Sequence, residues 1–213
     1  MNEKIIIAAL GGSRLFGLET DTSDEDYFIM VFPDDSLVLG EEKEVHKETV
    51  DYFVHRIDTM YELEACASPL VVPTYGSAVY GNEDMIRFWN ENAERLANIS
   101  PATTYNNAIG YARKIIDEKS VKALKICSRL IGMMWCRYYT GDMLSARYLP
   151  EKWRSRYFAA KNGEAGIEDV KGWLDEIRTP SIQRYFSLEP INYELHNEYC
   201  QLINSILEES NNE

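Results

Sequence analysis

Two carboxylates separated by one residue follow a glycine–serine turn near the start of the sequence. The stretch reads LGGSRLFGLETDTSDEDYF, and its paired carboxylates are Asp24 and Asp26. Side chains two positions apart on a strand project to the same face, so both carboxylates are expected to converge on one point. Two like charges held that close are costly unless a cation lies between them. The spacing therefore predicts a magnesium site, because Mg²⁺ takes carboxylate and phosphate oxygens together.

The turn before the carboxylates offers groups that bind phosphate. Backbone N–H groups of a glycine-rich turn that begins a helix point at an anion. Gly12 and Ser13 hold that position, and Arg14 adds a cation that is either a phosphate ligand or a surface ion-pair residue. A Walker P-loop is excluded because Leu18-Glu19 stands where lysine and serine or threonine are required, and GxGxxG is absent.

A third carboxylate would complete a two-metal arrangement. Asp51, in HKETVDYFVHR, is the favoured candidate because a neighbouring strand would bring it beside Asp24 and Asp26. Glu48 is the alternative, since the strand register does not follow from the sequence. Asp51 is favoured over Glu48 because it lies inside the apolar strand rather than at its edge.

Apolar periodicity predicts the elements that position these residues. The expected fold is α+β: a small mixed sheet in residues 1–80, a helical half in 81–209 that completes the active-site cleft, and a flexible tail in 210–213. Strands are predicted over 4–10, 26–32 and 45–57, a helical turn over 13–17, and a helix from a cap at Thr59 to Pro69. Further helices are predicted over 84–96, 106–118, 120–139, 167–177 and 192–209.

The charge of −13 argues against a protein that coats nucleic acid non-specifically. Residues 110–161, however, contain twelve basic and four acidic side chains. Within them Lys122, Lys125 and Arg129 fall at i, i+3 and i+7 on one predicted helix face. That face binds either phosphate or a substrate that receives a transferred group, or it is only a solvent-exposed helix face.

The remaining composition indicates an ordinary cytoplasmic protein. Four cysteines without a CxxC pair are expected to be reduced and mostly buried, and three histidines form no zinc pattern. No run of 18 apolar residues occurs, so no membrane partner is expected.

The string GSRLFGLETDTSDEDYF resembles the GSRxxGxxxxxSDxD form found in small bacterial and phage members of the DNA polymerase β-type nucleotidyltransferases. The likeness covers residues 11–32 and extends to Asp51. One departure is Glu25, because the residue between the two aspartates is often apolar or aromatic in the family. Glu25 is expected to point to the opposite face of the strand.

The resemblance implies Mg²⁺-dependent nucleotidyl transfer, with two ions and Mn²⁺ as the alternative metal. An acceptor hydroxyl, deprotonated with help from Asp51, would attack the α-phosphorus of an NTP, and pyrophosphate would leave. The acceptor (an RNA 3′ end, a protein hydroxyl or a small molecule) and the oligomeric state stay open. The alternative is a non-catalytic nucleotide- or partner-binding protein on the same scaffold. The implied metal ligands are Asp24, Asp26 and Asp51, and the implied nucleotide-binding residues are Gly12, Ser13, Arg14, Lys122, Lys125 and Arg129.

Overall fold

A computed structural model of the chain describes residues 5–21, 23–32, 43–47 and 50–211. The described residues form two compact units. The first unit contains the residues up to Ile99 together with those from Asn192 onward, and the second is Ser100–Ile191. The boundary predicted at residue 80 follows the change from strands to helices. The contacts instead group the helical residues before Ser100 and after Ile191 in the sequence with the sheet. The α+β class is confirmed.

The first unit is built on a mixed sheet. Its described strands are β1 (Ile5–Leu10), β2 (Glu25–Val31), β3 (Lys43–Lys47), β4 (Val50–Arg56) and β5 (Ala78–Gly81). They lie in the order β3-β4-β2-β1-β5. Strands β2 and β4 are parallel, while the other three neighbouring pairs are antiparallel. The single strand predicted over 45–57 is wrong, because this segment contains two strands.

The glycine turn after β1 contains one helical turn, α1 (Gly12–Leu15). It ends in a Schellman motif, in which the Gly17 N–H donates to the Arg14 carbonyl at 3.2 Å and the Leu18 N–H donates to the Ser13 carbonyl at 2.9 Å. This motif needs a left-handed residue, and Gly17 has φ +58°. Glycine is therefore required here to end α1 and to turn the chain toward β2.

Nine further α-helices follow in the described residues. They are α2 (Leu63–Cys66), α3 (Glu83–Glu91), α4 (Ala93–Ala97), α5 (Pro101–Ile116), α6 (Val121–Thr140), α7 (Glu151–Lys161), α8 (Ile167–Ile177), α9 (Pro180–Ser187) and α10 (Tyr193–Asn211). The predictions for α5, α6, α8 and α10 are confirmed apart from their ends. Because α10 runs to Asn211, half of the predicted tail is helical, and residues 212 and 213 lie outside the described part.

Several predicted elements differ from the structure. Thr59 lies inside a 3₁₀ helix, Ile57–Tyr61, where its hydroxyl donates to the Arg56 carbonyl at 2.7 Å instead of capping an α-helix. The helix predicted over 84–96 is interrupted at Asn92, whose amide side chain donates to the Phe88 carbonyl at 3.2 Å. Helices α7 and α9 and strand β5 have no counterpart in the prediction. Most of α7 is polar, and its buried face contains only three residues: Trp153, Tyr157 and Ala160.

Aromatic and sulfur-containing side chains pack among the aliphatic residues of both cores. In the first unit, Trp89 of α3 is stacked on Phe28 of β2 and packs against Tyr75 and Tyr199. In the second unit, the apolar residues that recur at three and four positions along α6 are buried except for Tyr138, which is half-buried: Leu124, Cys127, Ile131, Met134 and Tyr138. All four cysteines are free thiols and three are buried, which confirms that prediction. None of the described helices is long and apolar enough to cross a membrane.

Candidate active site

The parallel pairing of β2 with β4 brings two of the predicted carboxylates together. Asp26 and Asp51 are direct partners in this register, each near the beginning of its strand. Partners in adjacent strands project to the same face of a sheet, so both carboxylates lie on one face, at the end where β2 and β4 begin. Both residues are half-buried. Glu48, the alternative third carboxylate, lies outside the described residues.

The Asp26 carboxylate also lies against the glycine turn. Gly12 has φ +58°, and a Cβ added there would overlap the carboxylate of Asp26. The Gly11 N–H donates to the Asp26 carbonyl at 2.8 Å, which joins the turn to β2. Both the backbone conformation and the close approach require glycine at position 12. The turn and the two carboxylates are therefore one constellation.

Asp24 is placed differently from its neighbour. It is exposed and precedes β2, which begins at Glu25. The turn before it is closed by Ser23, whose N–H donates to the Thr20 carbonyl at 2.8 Å. Arg14 donates through Nη2 to the Ser23 carbonyl at 3.3 Å. Arg14 thus ties α1 to the loop that carries Asp24.

The donor set fits one magnesium ion better than two. Within the described residues, no group of three or more His, Cys, Asp or Glu side chains is arranged to hold a metal ion. The pair on β2 and β4 nevertheless offers hard oxygen ligands beside the glycine turn. Mg²⁺ is commonly bound by one or two carboxylates and completes its octahedron with water and substrate phosphates. The residues therefore fit this ion with two protein carboxylates, whereas a two-metal site needs a third group.

The opposite face of the same strands is apolar and aromatic. Tyr27 and Tyr52 are partners in the register, and their rings stack with centroids 6.2 Å apart. The Tyr27 hydroxyl donates to Glu25 Oε2 at 3.3 Å, so Glu25 points away from Asp26 as expected. Burial first, and then the Glu25 carboxylate, raise the pKa of Tyr27. The aromatic pair packs on a buried cluster that stabilises the register.

The segment before β5 braces the glycine turn from the other side. Leu10 and Ser77 exchange two hydrogen bonds: the Leu10 N–H donates to the Ser77 carbonyl at 3.0 Å, and the Ser77 hydroxyl donates to the Leu10 carbonyl at 2.8 Å. The Trp89 indole N–H donates to the Thr74 carbonyl at 2.9 Å. Sequence reasoning missed Thr74 and Ser77, since nothing local relates them to a turn more than sixty residues away.

The predicted basic residues of the helical half lie in the second unit. Lys122, Lys125 and Arg129 are on one face of α6, as their spacing indicates, and Lys122 is exposed while the other two are half-buried. Each of the three interacts with other groups of the chain. Their part in nucleotide binding remains a prediction.

The fold and the site together define an α+β protein with a carboxylate pair at a glycine–serine turn. Comparison with known proteins finds no protein-family model that matches the chain and no curated protein that matches it.

Proposed function

We propose that the chain is a Mg²⁺-dependent nucleotidyltransferase that moves a nucleoside monophosphate from an NTP to an acceptor hydroxyl. The observation that carries the proposal is the register that pairs Asp26 with Asp51 beside Gly12. Carboxylate oxygens next to a glycine–serine turn supply the two halves of a metal–nucleotide site. The resemblance of residues 11–32 to the polymerase β-type pattern supports the same reaction.

Each residue of the constellation has a role in this proposal. Gly12 and Ser13 bind phosphate oxygens, because glycine leaves the backbone open to close approach. Arg14 holds the loop in place through the Ser23 carbonyl and adds positive charge beside the phosphates. Asp26 and Asp51 hold Mg²⁺, and the exposed Asp24 is the nearest candidate along the chain for a further ligand.

The proposed transfer is a displacement at the α-phosphorus of the NTP. The acceptor oxygen bonds to the α-phosphorus, the bond from that phosphorus to the bridging oxygen breaks, and pyrophosphate leaves. The hydroxyl proton passes to a carboxylate oxygen of Asp51. A Mg²⁺ ion held by Asp26 and Asp51 would neutralise phosphate charge and help to orient the attacking and leaving oxygens. The residues themselves act mainly by positioning the reactants and by preorganised electrostatics.

A nucleotide-binding protein without transfer activity is the second candidate function. The observation in its favour is that, in the described part of the chain, Asp24 does not join the other two carboxylates in a metal-binding group. A site with two carboxylates binds a metal–nucleotide complex but lacks the third ligand of a two-metal enzyme.

Label transfer distinguishes the two functions. The purified chain is incubated with Mg²⁺ and each α-³²P-NTP, together with RNA, protein and small-molecule fractions of a host lysate. We expect label to enter one fraction, and Asp26→Asn to reduce the transfer by about 100-fold or more. Equilibrium binding of Mg²⁺-ATP and Mg²⁺-GTP is measured on the same samples.

Glu25→Gln is the matched control, because Glu25 is the adjacent carboxylate on the opposite face of β2. It removes the same charge and should retain transfer. Equal losses in the two variants would contradict the proposed site. Mg²⁺-dependent nucleotide binding without transfer to any fraction would favour the binding protein.

A further inference from the structure

A groove of about 630 Å³ opens between α5 and α8 within the second unit. Gly110 of α5 lies along it, and Ile116 and Leu174 are its buried apolar residues. We call it the basic groove, after the residues that give it its charge. Its charged lining residues are Arg113 and Lys114 of α5, Asp117 directly after α5, Lys171 and Asp175 of α8, and Arg178 directly after α8.

Four cations in the basic groove face only two carboxylates. Asp175 is already paired with Arg178 at 3.2 Å, and Lys171 is paired with Glu168, which is not part of the lining. Arg113 and Lys114 are exposed, and within the described residues neither has a hydrogen bond or ion pair from its side chain. Arg113 and Lys114 are like charges close together in the groove, so a bound anion would stabilise them.

Gly110 has no structural reason to be glycine. It lies inside α5 without a positive φ, and a Cβ added there would meet nothing within 4 Å. Glycine weakens a helix interior relative to alanine. Here it leaves bare backbone at the edge of the groove, which is the condition for close approach of a ligand. This observation is independent of the charges.

The second unit as a whole is basic in an acidic protein. Residues 100–191 contain fifteen Lys and Arg against ten Asp and Glu, whereas the full chain has a charge of −13. A local positive potential attracts polyanions and speeds their association. The same unit exposes Tyr139 and Tyr148, which are 61% and 85% accessible. Exposed aromatic rings in a unit of net positive charge suit the stacking of unpaired bases.

We infer that the basic groove binds the phosphodiester backbone of a single-stranded nucleic acid. Lys171 and Arg178 lie about 10 Å apart along the α8 axis. Their ion pairs are exposed and therefore weak, so both cations can also contact phosphate, and the groove offers a row of cations rather than one. On the basis of the proposed function, the strand bound there is the acceptor of nucleotidyl transfer. The phosphate–cation contacts provide affinity without reading the base sequence.

The test measures binding of fluorescein-labelled single-stranded RNA and of DNA of the same sequence to the full-length chain, by anisotropy at several salt concentrations. The groove variant is Arg113→Gln/Lys114→Gln. Because each lost phosphate contact lowers the salt dependence, its plot of log K against log salt should be shallower by about 1.4. Its affinity at low salt should fall by about fivefold or more.

Arg154→Gln/Arg184→Gln is the matched control, since both arginines are exposed in the same unit and lie outside the groove. It should keep its affinity and slope. Gly110→Leu fills the groove without removing charge, and leucine favours the helix, so it should weaken binding without lowering Tm. Equal losses in the groove and control variants, or unchanged binding in Gly110→Leu, would overturn the assignment. So would the absence of binding to either nucleic acid.

The comparison of RNA with DNA shows which part of the strand is recognised. Equal binding of RNA and DNA supports contact through the shared backbone, and tighter RNA binding adds a contact to the 2′-hydroxyl.

Asp26→Asn separates the groove from the proposed function, because it should bind nucleic acid normally while losing transfer. If nucleic acid binds but no variant changes transfer, the proposed function fails and the groove stands. If label enters only protein or small molecules, the groove is not the acceptor site.

Discussion

Asp26 connects the glycine turn, its own strand and the neighbouring strand. Its carbonyl accepts the Gly11 N–H at 2.8 Å, its carboxylate lies against Gly12, and its partner across the register is Asp51. Phe28, two residues further along the strand, stacks on Trp89 with centroids 5.5 Å apart and fixes this part of β2 from the same face. A carboxylate held by backbone bonds and packing is preorganised for binding a cation.

Gly12→Ala should disturb the site more than Gly17→Ala does. Both glycines have φ +58°, but the added methyl group meets the Asp26 carboxylate at position 12 and nothing within 4 Å at position 17. We expect Gly17→Ala to lower the free energy of unfolding by about 1–2 kcal/mol, the cost of a left-handed alanine. Gly12→Ala should lower it further and abolish Mg²⁺-dependent ATP binding.

Urea unfolding and equilibrium nucleotide binding check both variants. Retained ATP binding in Gly12→Ala would mean that the position of the Asp26 carboxylate is unimportant for the nucleotide. A loss of binding in Gly17→Ala alone would assign the effect to the end of α1 instead.

Among the elements, α6 shows how packing and capping define a helix. The Ser120 hydroxyl caps its beginning by accepting the Ala123 N–H at 3.0 Å, and Gly141 ends it in the left-handed conformation. Gly132 lies in its buried middle, where a Cβ would come within 3.1 Å of Leu149 and 3.3 Å of Trp153. Glycine at this position allows α7 and the segment before it to approach α6 closely.

Gly132→Val should therefore lower the free energy of unfolding by about 1–3 kcal/mol through overpacking. Gly172→Ala in α8 is the control, because a Cβ there has open space and alanine is a better helix former than glycine. The control should raise stability by about 0.5–1 kcal/mol. Thermal and urea unfolding measure both changes. A tolerated valine would show that α6 and α7 move apart at little cost.

Across the whole molecule, both cores bury ionisable groups in neutral form. Burial raises the pKa of Cys127 and of Cys136 to about 12, and raises that of Cys66 still further. The pKa values of Tyr75 and Tyr199 are also raised, first of all by burial. Each group holds its proton more tightly in the folded chain than in the unfolded one.

Stability should therefore fall on the alkaline side. Below an unfolded thiol pKa of about 8.5 both states hold the proton, so the contribution of the thiols is complete. Between about 9 and 12 the unfolded thiols ionise first, and the free energy of unfolding decreases as pH rises toward the folded pKa. Urea unfolding at about pH 7 and about pH 10 measures the change. Cys136→Ala should flatten the dependence, and an unchanged slope would contradict the burial argument.

Local sequence was sufficient for much of the site and the secondary structure. β-Branched residues before two glycines predict β1, and the spacing of Gly12 and Asp26 singles out two members of the candidate site, whereas Asp24 lies apart from the carboxylate pair. Periodic apolar residues predict α6. These features depend on steric preferences and hydrogen bonds between residues close in the chain. The α+β class follows from their order, because an apolar strand or helix face has to be buried against another element.

Only the tertiary structure decided which distant groups meet. The register that pairs Asp26 with Asp51, the hydrogen bonds between Leu10 and Ser77, and the groove formed by α5 and α8 all join residues far apart in sequence. The grouping of α10 with the sheet is of the same kind. Strand pairing and helix docking depend on complementary shape and buried area across the fold, and the local pattern of a single segment does not contain either.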